Sequence, residues 1–277
     1  MMNNVLGKHK RFVAVLAAAA LILSAQTALF AGGGKASSKS AGQQNEPVTM
    51  LVAAAASLKN AYDQELIPQF QAKYPWITVQ GTYDSSGKLQ TQIENGLEAD
   101  VFMSAAVKQM DDLVSEGYVD KNAVDYLLQN KLVLIKPVNT TTTVTSFADV
   151  TNAKTIAIGD PKSVPAGQYA EEAFNKLGVW NKLPSTSISL GTNVTEVLSW
   201  VGSGSAEVGV VYATDAASSD KVAIIETLQD GVLSAPVIYP VAPLKNTQNS
   251  AAAKLFVDYL ASSDGLAIFQ KYGFSKN

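Results

Sequence analysis

Ser57, Ser86, Ala166 and Val194 each stand where an apolar, strand-like run gives way to helical spacing. The first N–H groups of a helix have no partner inside it, and the macrodipole makes that end positive, so each position is a natural place for an anion to rest. Four such starts converging on one point would offer a cage of donors. Taken alone, Ser57 and Ser86 equally suit ordinary helix N-caps. Tyr212, closing the run Val208 to Tyr212, equally suits a core aromatic with its hydroxyl at the rim.

What the chain lacks sharpens this chemistry. Its 277 residues contain no Cys, and the single His (His9) and single Arg (Arg11) both fall near the N-terminus. From Pro47 onward there is no imidazole for general base or metal-ligand duty, no guanidinium clamp and no thiolate. Whatever the folded part does, it does with hydroxyls, amides, Lys and carboxylates. From Pro47 on, 16 Lys stand against 23 Asp and Glu, a formal −7, the wrong sign for a nucleic-acid partner.

Two apparent motifs fail on spacing. The stretch 81–89 imitates a phosphate-binding loop, but its first Gly is one place early and Leu89 replaces the Ser or Thr required after Lys88. Gly202-Ser203-Gly204 lacks the spacing of a nucleophile elbow and any His to activate it.

The elements that must position these residues alternate between short apolar runs and helical segments, an α/β pattern. Thr49 to Ala55 reads as a buried strand, followed by a helix with Leu58, Tyr62, Leu66 and Phe70 at four-residue spacing that Pro68 should kink or split. Ile77 to Tyr83 and Val101 to Met103 complete a βαβαβ unit with a helix from Leu89. Lys131 to Ile135 is a further strand ending at Pro137, after which a Thr-rich connection marks a first crossing into a second lobe. There, strands at 155–158, 187–190, 208–212 and 223–225 alternate with helices at 166–177 and 194–201, the latter opened by a capping box of Asn193 and Glu196. The segments 250–260 and 265–272 are helical without strands of their own, so they must return to cover the first sheet. The expected organisation is lobe I from 47–136 and 240–277, and lobe II from 137–239.

The N-terminus reads as an export signal over 1–31: Lys8, Lys10 and Arg11 precede a twelve-residue apolar run, Phe12 to Leu23, too short for an ordinary membrane span. Residues 32–46, rich in Gly, Ser, Lys and Gln, form a flexible linker. A periplasmic or cell-surface location follows, without a cysteine for thioether lipidation.

Several stretches resemble the periplasmic molybdate-binding proteins of ABC importers: Ala54-Ala55-Ala56-Ser57-Leu58, Ser85-Ser86-Gly87-Lys88-Leu89, Ala99-Asp100-Val101-Phe102-Met103-Ser104-Ala105, Gly159-Asp160-Pro161 with Val164-Pro165-Ala166-Gly167, Val210-Val211-Tyr212 and Tyr272-Gly273-Phe274. The resemblance implies a two-lobed type II binding-protein fold, each lobe a mixed sheet flanked by helices. It implies capture of molybdate or tungstate in the cleft and delivery to membrane permease subunits, by a monomer without cofactor or catalysis. Molybdenum would be present only inside the oxyanion, with no protein ligand to the metal. By the same resemblance Ser57 and Ser86 offer hydroxyls and N–H groups, Ala166 and Val194 offer N–H groups, and Tyr212 its O–H. Asp84, where a small neutral residue would be more comfortable, is expected to cap or turn outward. A receptor for sulfate or another tetrahedral oxyanion is the alternative; a secreted hydrolase pairing Ser86 with Lys88 is a remote one. With no His, ligand affinity should be flat between about pH 6 and 9.

Overall fold

The computed structural model describes residues 46–277; the signal segment and all but the last residue of the linker lie outside them. Strand β1 (Val48–Ala55) is buried from Val52 to Ala55 and lies between β2 (Ile77–Asp84) and β3 (Val101–Met103), both parallel to it. A strand covered on both faces reads as a continuous apolar run, as VTMLVAAA does.

The stretch 56–73 stays helical. It passes from a 3-10 turn (Ala56–Leu58) through α1 (Lys59–Ala61) and a π turn (Tyr62–Leu66) into α2 (Ile67–Lys73), with Pro68 in the first turn of α2. The expected split at Pro68 is thus resolved by the wider π turn, which relieves the contact between the proline ring and the carbonyl four residues earlier. Helix α3 (Ser86–Glu94) leads to β3, and α4 (Val107–Ser115) follows it.

Strand β4 (Asp125–Asn130) joins the first sheet, and one residue later β5 (Leu132–Pro137) belongs to the second. The chain therefore changes sheets at Lys131, not at Pro137 as its Thr-rich sequel suggested. The run Leu132 to Ile135 is apolar enough for either sheet, and its pairing with distant strands β8 and β9 decides the matter.

The second sheet is built from β6 (Ile156–Gly159), α5 (Pro165–Lys176), β7 (Ile188–Gly191), α6 (Val194–Gly202), β8 (Val208–Tyr212), α7 (Ala213–Ala217) and β9 (Val222–Thr227). Strand β10 (Val237–Pro243) returns to the first sheet, so the second change precedes Val237 and not Pro240. Helices α8 (Ser250–Leu260) and α9 (Ser263–Lys271) and the short β11 (Ser275–Lys276) complete the chain. The sheet orders are β11-β4-β10-β3-β1-β2 and β7-β6-β8-β5-β9. Both are mixed and flanked by helices, the two-lobed α/β architecture expected.

Helices α8 and α9 do cover the first sheet: the Tyr62 ring centre lies 6.0 Å from Phe256 and 6.1 Å from Phe269. Such edge and tilted contacts add to the area the rings bury. In the second lobe Phe174 packs 6.1 Å from Phe147.

Candidate functional site

Ser57 lies in the 3-10 turn directly after β1, and Ser86 opens α3. Ala166 follows Pro165 in the first turn of α5, Val194 opens α6, and Tyr212 ends β8. All five line one cavity of about 10 Å³ between the lobes, with Asp84, Ser85, Ala105 and Asn193 beside them. The parallel strands carry their carboxyl ends toward this point, which is why the helix starts that follow them converge there.

Each hydroxyl is held in a particular way. Ser86, fully buried, accepts the Ala105 N–H through Oγ at 2.9 Å, which leaves its own proton free to donate. Ser57 Oγ lies 2.9 Å from the Tyr239 hydroxyl. Tyr212 donates to the Ala105 carbonyl at 3.3 Å, and burial holds its phenol well above the usual range, so it remains an O–H donor at neutral pH. Ser85 Oγ is buried with no hydrogen-bond partner among the described residues. An unpaired buried hydroxyl costs roughly 1–3 kcal/mol, a deficit that a bound anion would remove.

Asp84 neither turns outward nor stands alone. Its carboxylate accepts the Ser85 N–H at 2.8 Å and the Asn193 Nδ2–H at 3.1 Å, with the Lys88 ammonium 3.5 Å away. Asn193 is itself the cap of α6, its Oδ1 accepting from the Glu196 N–H at 3.1 Å. The capping box is displaced by one residue on its return side, since the Glu196 carboxylate accepts from the Thr192 N–H at 2.6 Å.

The Asp84–Asn193 bond ties the two lobes, as do Gly87 N–H to the Ser163 carbonyl at 2.9 Å and Gln109 Nε2–H to Gln168 Oε1 at 3.2 Å. A cavity this small has room for about one water. Admitting a four-oxygen anion therefore requires the lobes to part and close again around it.

Sequence spacing gave no sign of Ser85, Ala105 or Tyr239. Ser85 was hidden beside Ser86, Ala105 acts through its backbone, and Tyr239 sits in an apolar run that reads as core. Two larger hollows lie elsewhere. One, of about 640 Å³, is lined by residues such as Glu94, Glu98 and Asp100, and the other, of about 460 Å³, lies beside the two changes of sheet. Neither gathers helix starts.

Asp215, on α7 behind Tyr212, is a buried carboxyl whose titration enters the stability of the fold. Burial pushes its carboxyl up to about 7, against a smaller opposing pull from the Tyr212 N–H it accepts at 3.1 Å. Unfolded, the same group titrates near about 3.9. Between these values the native state holds a proton that the unfolded chain releases, so this group's contribution to stability falls as pH rises through the window and is least favourable above it. Asp215→Asn is expected to gain stability relative to the wild type at pH 8, by an amount on the order of a few kcal/mol, and almost none at pH 4. Urea unfolding of both proteins at the two pH values measures it; an equal difference at both would show that Asp215 is charged in the fold throughout.

The profile of the bacterial extracellular solute-binding proteins matches residues 50–275. YvgL of Bacillus subtilis, provisionally named an ABC transporter substrate-binding lipoprotein, is 40% identical over 228 residues, 82% of this chain and 86% of its own. The molybdate-binding protein ModA of Escherichia coli is 37% identical over 230 residues, 81% of this chain and 88% of its own. Among solved structures, the periplasmic molybdate-binding protein of Azotobacter vinelandii superposes with a TM-score of 0.70 at 25% identity, covering 81% of this chain and 98% of that one.

Proposed function

The chain belongs to the bacterial extracellular solute-binding proteins, and from that premise we propose that it captures molybdate, or tungstate, outside the cytoplasm and delivers it to the permease of an ABC importer. The single observation that carries this reading is the convergence of Ser57, Ser86, Ala166, Val194 and Tyr212 on one cavity, with the Lys88 ammonium turned to Asp84. Such a site is built from donors. Hydrogen bonds to an ionised group contribute roughly 1.5–3 kcal/mol each, so six or seven exceed ~10 kcal/mol before ordering and closure costs are subtracted. Micromolar to nanomolar affinity, about −8 to −12 kcal/mol, needs no guanidinium. Ser85, with its unpaired hydroxyl, joins the proposed donor set.

The protein works as two lobes, I and II, that part and close on the anion. It needs no cofactor, holds the metal only through oxygen, acts as a monomer and performs no catalysis. A Ser86–Lys88 hydrolase is disfavoured because Lys88 faces Asp84 and Ser86 Oγ accepts from Ala105.

Selectivity follows from donors and acceptors. Molybdate, tungstate and sulfate are fully deprotonated, whereas hydrogen phosphate carries a proton that needs an acceptor. Asp84, the one carboxylate lining the cavity among the described residues, already accepts from Ser85 and Asn193. The expected order is molybdate and tungstate, then sulfate, limited by size, then phosphate. Competition calorimetry with the four anions tests this, together with an assay for ester and peptide hydrolysis. Tight phosphate binding that disappears in Asp84→Ala would reassign the protein to phosphate uptake, and turnover of an ester would remove it from the receptors.

A further inference from the structure

We propose that Tyr239 and Asn130 are positioning residues that fix the direction of the Ser57 hydroxyl, making it a donor into the cleft and excluding anions that must themselves donate a proton. The inference deepens the oxyanion reading and rests on it. Asn130 is the last residue of β4 and the neighbour of the change of sheet at Lys131. Its Oδ1 accepts the Lys131 N–H at 2.8 Å, which settles which end of the amide points where. The NH₂ end then donates twice, to Thr214 Oγ1 at 2.9 Å and to the Tyr239 hydroxyl at 3.2 Å.

Tyr239 is fully buried on β10, held edge-on by Phe274 at 5.3 Å and Tyr212 at 5.7 Å between ring centres. Its oxygen receives a proton from Asn130, so its own proton must go elsewhere or remain unpaired in the core. Two further hydroxyls lie beside it: Ser57 Oγ at 2.9 Å, and Tyr212, whose own proton goes to the Ala105 carbonyl. We assign the Tyr239 proton to Ser57, and with Ser57 as the acceptor its own proton is left to point into the cavity that Ser57 lines. Burial keeps the Tyr239 phenol well above its ordinary range, so this donor is not lost at neutral pH.

The polarity of the chain decides what Ser57 can offer. A serine hydroxyl free to rotate can accept as well as donate, and could take the proton of hydrogen phosphate. Ser57, with one lone pair taken by Tyr239 and its proton aimed at the cleft, is turned to donate rather than accept. The proton direction is set two hydrogen bonds away from Ser57, at 2.9 and 3.2 Å, by an amide whose own orientation is set by the backbone.

The test is a cycle of Ser57→Ala, Tyr239→Phe and the double variant, with molybdate and phosphate dissociation constants measured by calorimetry at pH 7. Tyr239→Phe is expected to weaken molybdate binding roughly 10-fold and to narrow the molybdate-to-phosphate ratio by more than that, because Ser57 regains the freedom to accept. In the Ser57→Ala background the same change is expected to alter the molybdate constant less than about twofold. Equal losses in both backgrounds, or an unchanged ratio, would overturn the inference while leaving the receptor reading intact. Absence of binding by the wild type to molybdate, tungstate, sulfate and phosphate alike would instead overturn the receptor reading and this inference with it.

Asn130→Asp provides a second arm should Tyr239→Phe fold poorly. Its carboxylate accepts where the amide donated, so Tyr239 turns its proton toward position 130, the Tyr239 oxygen accepts from Ser57, and Ser57 turns away from the cleft. Molybdate affinity is then expected to fall as far as in Ser57→Ala, with no further loss when the two are combined. An Asn130→Asp protein that melts cooperatively and binds molybdate as tightly as the wild type would overturn the proposal.

Discussion

A Gly167→Ala variant is expected to melt roughly 6–12 °C below the wild type, corresponding to about 3 kcal/mol for a domain of this size. Gly167 lies in the first turn of α5, where the helix meets the end of β6. A Cβ at this position would stand 2.0 Å from the Gly159 carbonyl oxygen and 2.5 Å from its carbon. Those atoms are backbone, and the Gly159 end of β6 is held by parallel pairing to β7 at Gly191, so neither side yields cheaply. The methyl therefore lifts the start of α5 off the sheet. Because Ala166 precedes it on the same turn, that displacement also carries a proposed N–H donor away from the cavity, and molybdate affinity should fall along with stability. Thermal melts with and without molybdate measure both effects. A loss below about 2 °C would mean that α5 can slide along β6, and that the close approach is not a constraint.

The second large effect is expected at Ser86. Ser86→Ala should weaken molybdate binding roughly 10- to 150-fold, the ~1.5–3 kcal/mol carried by one hydrogen bond to an ionised group. It should also destabilise the unliganded protein, because Ser86 Oγ is the acceptor for the buried Ala105 N–H. An orphaned amide of this kind costs about 1–3 kcal/mol. The two consequences separate cleanly, since urea unfolding without anion reports the second and calorimetry on the folded protein reports the first. Unchanged affinity in a destabilised protein would make Ser86 a structural clamp for Ala105 and take it out of the donor set.

The absence of His, Arg and Cys beyond the N-terminal segment was decisive in the sequence by itself. Composition cannot be altered by folding, so it excluded imidazole, guanidinium and thiolate chemistry outright and left donors as the working parts. The α/β alternation and the strand-to-helix turns carrying Ser57, Ser86, Ala166 and Val194 were equally legible, because hydrophobic period and capping chemistry are local. Tertiary structure decided what depends on contacts between distant residues. The sheet to which Leu132–Pro137 belongs is set by its pairing with β8 and β9. The orientation of Asp84 is set by Asn193, 109 positions away, which makes a carboxylate expected to cap or turn outward into a tie between the lobes. Asp215 looks like an ordinary surface acid in sequence, and only burial behind Tyr212 brings its titration to about 7. The Ser57 hydroxyl is the clearest case: its residue type announces either a donor or an acceptor, and the partners that choose between them, Tyr239 and Asn130, are brought to it only by the return of β10 to the first sheet.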